Sequence, residues 1–150
     1  METQYKITKA SWNNDETILR SLRNKINVLE LRTPSQIEFD EKDAQAHHVI
    51  VFNDNTAVGC GRLTSTGVIS RICVLPSYRC LGLGALVLKG LVDLAKETGM
   101  VDVTISAKLD TVDFYTQYGF KAQGNVFMHA GLPRQHVVSN IDAINFFQPH

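Results

Sequence analysis

Apolar residues recur along this chain with two periods, and the switches between them outline its elements. Tyr5 to Thr8 reads as a short opening strand. Ile18, Leu19, Leu22, Ile26 and Leu29 then follow at helical spacing behind a capping pair, Asn13 and Glu16, and Pro34 ends the pattern. His48 to Phe52 and Ala57 to Leu63 are β-rich runs joined by Asn53-Asp54-Asn55, which has the turn chemistry of a hairpin. Thr66-Gly67 turns the chain into a third run, Val68 to Leu75.

From Leu83 the period changes. Leu83, Leu86, Val87, Gly90, Leu91 and Leu94 form one helical stripe, Lys89, Asp93, Lys96 and Glu97 take the water side, and Gly99 closes the helix. Val101, Val103 and Ile105 alternate with Asp102, Thr104 and Ser106 as a half-buried strand. Asp110 caps a short helix through Phe114, Tyr115 and Tyr118 that stops at Gly119, and Val126–Met128 and Gln135–Val138 read as closing strands. This is a mixed α/β pattern without repeats or linkers, expected to form one domain over residues 1–150.

Fifteen basic residues balance fifteen acidic ones, so no global field draws the chain to nucleic acid or an anionic membrane. No apolar run reaches membrane-spanning length, and the start of the chain lacks a signal-peptide core. Cys60, Cys73 and Cys80 are odd in number and lack C-x-x-C spacing, which argues against a disulfide framework or a zinc site and for a cytoplasmic setting. No metal is expected.

The densest chemistry lies in Ile72-Cys73-Val74-Leu75-Pro76-Ser77-Tyr78-Arg79-Cys80-Leu81-Gly82-Leu83-Gly84-Ala85. A strand ends, a loop crosses Pro76 and a helix begins near Leu83. The first turn of a helix has unpaired N–H groups and the positive end of its dipole, which suits phosphate. Gly82 and Gly84 carry no side chain to hold a diphosphate away, and Arg79 adds a cation. A nucleotide P-loop needs Gly-Lys-Ser/Thr here, where Ala85 and Leu86 stand; the dinucleotide fingerprint needs a third small residue where Val87 stands.

This segment resembles the signature of the GNAT superfamily of N-acetyltransferases, Arg/Gln-x-x-Gly-x-Gly/Ala, through Arg79, Gly82 and Gly84. Ile72, Val74 and Pro76 before it, and Phe114-Tyr115 with Gly119-Phe120 after it, follow in the same order and spacing. The likeness extends over roughly residues 36 to 138, including Glu38, Asp40, Asp43, Ala46, His48, Arg62-Leu63, Ser106-Ala107 and Gly131-Leu132-Pro133, and is similar to a branch of small bacterial acetyltransferases. Cys80 and Leu81 stand where many relatives carry Gly, Lys or Arg, and Lys108 where Asn or Gln is common; neither change removes a backbone donor.

The resemblance implies a central, mostly antiparallel sheet of six to seven strands with helices on both faces, split by a wedge between Val68–Leu75 and Val101–Ala107. It implies transfer of an acetyl group from acetyl-CoA to a primary amine of a small molecule or peptide. Ile72, Cys73 and Val74 would line the cofactor's pantetheine arm, with the Val74 amide on the thioester carbonyl. Arg79, Cys80, Leu81, Gly82, Leu83, Gly84 and Ala85 would hold the diphosphate, and Tyr115 would be the general acid. A non-catalytic acyl-CoA-binding regulatory module is the alternative.

Several readings remain open on the residues alone. The acidic run Glu38 to Asp43 is by default a solvated loop that could also attract a cationic acceptor, and it lacks the Gly of a calcium loop. Arg62 and Arg71 are salt-bridged sheet residues or ligands of an acceptor carboxylate. Glu38, Asp40, His47, His48 and His129 are the available bases, and His136 has the same standing as His129. The apolar tail Ile141 to Phe147 is a candidate homodimer contact or packs on its own domain.

Overall fold

The computed structural model describes residues 5–146. Seven strands form a single sheet: β1 (Tyr5–Ala10), β2 (His47–Asn53), β3 (Thr56–Leu63), β4 (Val68–Val74), β5 (Asp102–Lys108), β6 (Lys121–His129) and β7 (Leu132–Asn140), in the order β1-β2-β3-β4-β5-β7-β6. Every neighbouring pair is antiparallel except β4 and β5. The helices are α1 (Trp12–Arg23), α2 (Ser35–Glu38), α3 (Leu83–Glu97) and α4 (Val112–Thr116).

Alternation along the strands makes two cores. On β2, Val49 and Val51 pack with α3, whereas Ile50 between them packs with Leu19, Leu22 and Ile26 of the opposite layer. Of the α3 stripe read from the sequence, Leu83, Val87, Leu91 and Leu94 are buried and Leu86 and Gly90 half-buried, while Leu88 and Val92, outside that stripe, are fully covered too. Each such side chain contributes about 1.5–3 kcal/mol over leaving it exposed. Gly61 lets α3 sit this close to the sheet, since a Cβ there would lie 2.6 Å from Val87 Cγ1 and 2.8 Å from Leu91 Cδ1. Helices on both faces of a mostly antiparallel sheet match the expected architecture.

The first helix departs from the expectation twice. Its cap is Ser11, whose Oγ accepts from Asn14 N–H at 3.2 Å while Asp15 accepts from Ser11 N–H at 3.0 Å. Glu16 instead pairs with Arg20 at 2.6 Å. Beyond Arg23 the chain continues as a π-helical stretch, Asn24–Glu30. The wider turn rotates the stripe, so Leu29 is 65% exposed and Asn27 is buried.

At the other end, β5 starts at Asp102 and leaves Val101 exposed, and both closing strands are longer than the apolar pattern suggested. β6 is a sheet edge with mostly exposed side chains, so its polar start, Lys121 to Gly124, carries no burial signal. In the tail, Ile141 and Ile144 are buried in the α3-side core and Phe146 packs on Tyr118, ring centroids 5.0 Å apart; Phe147 lies outside the described residues. Among the described residues no helix is long and apolar enough to cross a membrane.

Candidate active site

β4 and β5 are parallel and pair at only two positions, Val68↔Thr104 and Ile69↔Ile105. Beyond Ile69 the strands part and leave a wedge. On the β3 side, β4 carries a bulge opposite Cys60–Arg62, with Arg71 at φ 58°. Past the bulge, Leu75 N–H turns toward β3 and reaches Val58 O at 2.8 Å. Alternation therefore turns the Val74 peptide group to the open side of the strand. Its carbonyl accepts from Arg79 Nε at 3.0 Å, and its N–H is left facing the wedge.

After β4 a short 3-10 turn, Pro76–Tyr78, leads to the loop that begins α3. Cys80 (φ 65°) and Gly82 (φ 79°) are both left-handed there, and Gly82 is the N-cap of α3 without any side-chain cap. None of the N–H groups from Cys80 to Ala85 has an acceptor among the described residues. A succession of free amides at a helix start has the chemistry to cradle an anion.

The two glycines differ. Gly82 is demanded by its backbone angle, since a Cβ there would meet nothing within 4 Å. Gly84 has no positive φ, and a Cβ on it would meet only Phe114 Cζ at 3.9 Å, an ordinary contact. Neither chain geometry nor packing requires a glycine at 84, which leaves the room above it for a ligand.

Arg79 lies beside the cradle with its guanidinium engaged. Nη1 and Nη2 form a fork on the Glu30 carboxylate at 2.7 and 2.8 Å, and Nε holds Val74 O. The hydrogen bond and charge of Arg79 hold Glu30 below the ordinary carboxylate range.

Tyr115 comes from α4 into the α3-side core at 8% exposure, edge-on to Phe114 and Phe120. Burial pushes its phenol up to about 12, against a smaller opposing pull from Arg134. Among the described residues its hydroxyl has no hydrogen-bond partner.

The acidic segment is not a solvated loop. Glu38 and Asp43 are 4% and 1% exposed, and Arg23, at 1%, holds both at 2.7 Å. Arg62 joins Asp40 (2.7 Å) and Asp43 (3.0 Å), while Arg71 bonds the carbonyls of Glu38 (3.2 Å) and Ile37 (3.0 Å) and Asp40 (3.2 Å). His48 Nε2 meets Asp43 O at 2.9 Å, and burial holds its pKa below the ordinary value. The alternation of polar and apolar residues gave no sign of the arginine pairings, because each arginine and the groups it bonds lie 15 to 34 residues apart.

Cys60 and Cys73 stand opposite each other on β3 and β4, Sγ to Sγ 3.5 Å, both buried and away from the loop. Among the described residues no group of three His, Cys, Asp or Glu is placed to hold a metal. A shallow hollow of about 500 Å³ lies at the opposite end of β5, lined by Asp102, Lys121, Ser139 and Asn140 among others.

A family model described as an acetyltransferase (GNAT) domain matches residues 26–138, most of the chain. The chain belongs to the GNAT acetyltransferase family. An uncharacterized N-acetyltransferase of Bacillus subtilis (strain 168), YjcF, is 31% identical over 116 residues, covering 75% of this chain and 83% of that one. The crystal structure of an acyl-CoA N-acyltransferase from Pseudomonas aeruginosa superposes with a TM-score of 0.81 at 23% identity, over 90% of this chain and 99% of that one. Escherichia coli ElaA gives 0.80 at 18% identity, over 89% and 98%. GNAT proteins are acyltransferases that use acyl-CoA and generally act on amine-bearing acceptors.

Proposed function

We propose that this GNAT protein is a cytoplasmic, single-domain N-acetyltransferase that moves an acetyl group from acetyl-CoA to a primary amine of a small molecule or peptide in a ternary complex. The observation that carries this reading is the run of open N–H groups from Cys80 to Ala85, continuous with the open edge of β4. Acetyl-CoA, when bound, supplies a reactive thioester. Leu81 to Ala85 and Cys80 hold its diphosphate through their amides. The exposed edge from Ile72 through Cys73 to Val74 pairs with the pantetheine amides as an added strand would. Val74 N–H donates to the thioester carbonyl oxygen, where negative charge grows as the amine attacks.

In the transfer a C–N bond forms, the C–S bond breaks, the amine gives up a proton and the sulfur gains one. Tyr115 is suited to the sulfur's side of that exchange. A phenol near 12 keeps its proton throughout the neutral range, so it acts as a donor and never as the base. A thiol's ordinary pKa is about 8.5, so complete transfer from such a phenol runs uphill in water. Tyr115 therefore stabilises the departing thiolate by a hydrogen bond, and full transfer follows where the sulfur is itself desolvated. Glu38, Asp40 and His48, bases suggested by the sequence, are engaged in the α1-side network. His129 is exposed at the end of β6.

Tyr115→Phe is the test. Thiol release should fall about 100-fold or more, with acetyl-CoA affinity within roughly two-fold of the parent since the cradle is untouched. Unchanged turnover would remove Tyr115 as the acid. Acetyl-CoA binding without thiol release from any amine in a broad panel would instead favour the regulatory module.

A further inference from the structure

Arg62 and Arg71, the arginines that the sequence offers for an acceptor carboxylate, already hold carboxylates of the chain. Arg134 does not. It stands on β7 directly across from Lys108 of β5 and Phe127 of β6. Like charges placed directly opposite on a sheet repel unless an anion lies between them, and neither cation forms an ion pair among the described residues.

The position of the guanidinium follows from strand parity. Ile141 N–H bonds Val101 O at 2.8 Å, toward β7, and Thr104 N–H bonds Gly67 O at 2.9 Å, toward β4. The even residues of β5 thus turn their peptide groups to β4, and because pairing stops at Ile105 the carbonyl of Ser106 opens on the wedge. Arg134 Nη1 donates to that carbonyl at 2.8 Å. The guanidinium accordingly reaches the wedge, and its Nε is buried with no partner among the described residues. Tyr115 and Glu38 are the groups whose charges it feels, and burial weakens its hold on its proton. A half-buried cation with no carboxylate in contact among the described residues is costly until an anion joins it.

That anion is not the diphosphate, whose cradle lies at the start of α3, while Arg134 stands by Tyr115 at the thioester end. We infer that the acceptor is an amine of the amino-acid class, and that its carboxylate is held by Arg134 with Lys108 beside it. This rests on the acetyl-transfer reading above. Arg134 is then a specificity-determining residue.

The experiment compares each α-amino acid with its own carboxamide, by thiol release at saturating acetyl-CoA and by calorimetric binding to the protein saturated with CoA. The parent should favour the acid in kcat/KM for at least one pair by about 10- to 100-fold. Arg134→Gln should erase that preference by raising KM for the acid while leaving the carboxamide within about two-fold. Arg134→Lys should restore part of it, and Lys108→Met should reduce it several-fold. Circular dichroism melting checks that each variant folds; if Arg134→Gln does not, Lys108→Met and the parent's own acid–amide contrast decide. A parent that favours carboxamides, or an Arg134→Gln loss equal for both members of a pair, overturns the inference. If no amine is acetylated, the function reading fails, and calorimetry decides separately: Arg134-dependent binding of the acid supports the carboxylate site, and no binding of either member overturns it.

Discussion

On the α1 side of the sheet, Arg23, Arg62 and Arg71 meet Glu38, Asp40 and Asp43 at hydrogen-bond distance in a water-poor layer. On the wedge side, among the described residues, Arg134 and Lys108 have no carboxylate in contact, and six successive amides and the Val74 N–H lack an acceptor. The two regions are built from similar residue types, and one strand, β4, borders both. The α1 side is closed upon itself, Arg62 Nε, His48 Nδ1 and Ser70 Oγ being its buried exceptions among the described residues. The wedge leaves a run of donors open, as a site for a multiply anionic ligand needs. Charge in this protein thus has two uses, and what separates them is whether the counter-charge is part of the chain.

The largest effect should come from breaking the closed side. Asp43→Ala leaves Arg23 and Arg62 short of a buried partner and should cost about 3–5 kcal/mol, read by urea unfolding. A loss under about 1 kcal/mol, the value for a surface pair, would show that the network is not desolvated in solution.

Acid should erode the same side. Burial pushes Asp43 and Asp40 up, but the hydrogen bonds and charges of Arg23, Arg62 and Arg71 more than reverse this and hold both below the ordinary range. Groups with a depressed folded pKa bind fewer protons folded than unfolded, so their stabilisation is present above about pH 4 and is lost as pH falls through the folded value. His48, lowered by burial, adds a milder loss that begins as pH falls below about 6.5. The melting temperature should be level near pH 7–8, decline gently below 6.5 and steeply below 4. A melting curve that is flat down to pH 4 would remove His48 from this account.

The open side sharpens the contrast at lower cost to the fold. Gly84→Val should change stability by less than about 1 kcal/mol, since its Cβ meets only an ordinary contact. It should weaken acetyl-CoA binding at least about ten-fold, equivalent to 1.4 kcal/mol. Destabilisation with affinity unchanged would mean that Gly84 serves packing after all. The smallest effect is expected at the boundary. Glu30→Gln removes a pair about two-fifths exposed on each side, so stability should move by under about 1 kcal/mol. Freed of Glu30, Arg79 should tighten acetyl-CoA binding by a few-fold, more at low salt. Weaker binding in this variant would show that Glu30 positions the loop rather than competing for Arg79.

Much of the wedge was legible in the sequence because its signals are local. Gly82 and Gly84 after a strand read as ending near Leu75, and the stripe from Leu83 to Leu94, announce a strand–turn–helix without distant partners. The closed side was not, since nothing in the spacing of Glu38, Asp40 and Asp43 says that arginines from α1, β3 and β4 converge on them. The π-helical stretch was hidden for a related reason: its wider turn replaces Leu29 with Asn27 on the buried face, against the apolar pattern, and Asn27 is held there by Glu38 at 3.0 Å. Arg134 did leave a trace. It sits one residue after Pro133, at the start of a strand that pairs with β5, and correct registration of that pairing would have placed it opposite Lys108.

Amide resonances of the labelled protein, followed while CoA is added, test the central claim most directly. The account predicts that the largest shifts fall on Cys80 to Ala85 and on Val74, with residues around the Asp102–Asn140 hollow unmoved. Shifts concentrated at that hollow, or absent from Cys80 to Ala85 at saturation, would contradict it.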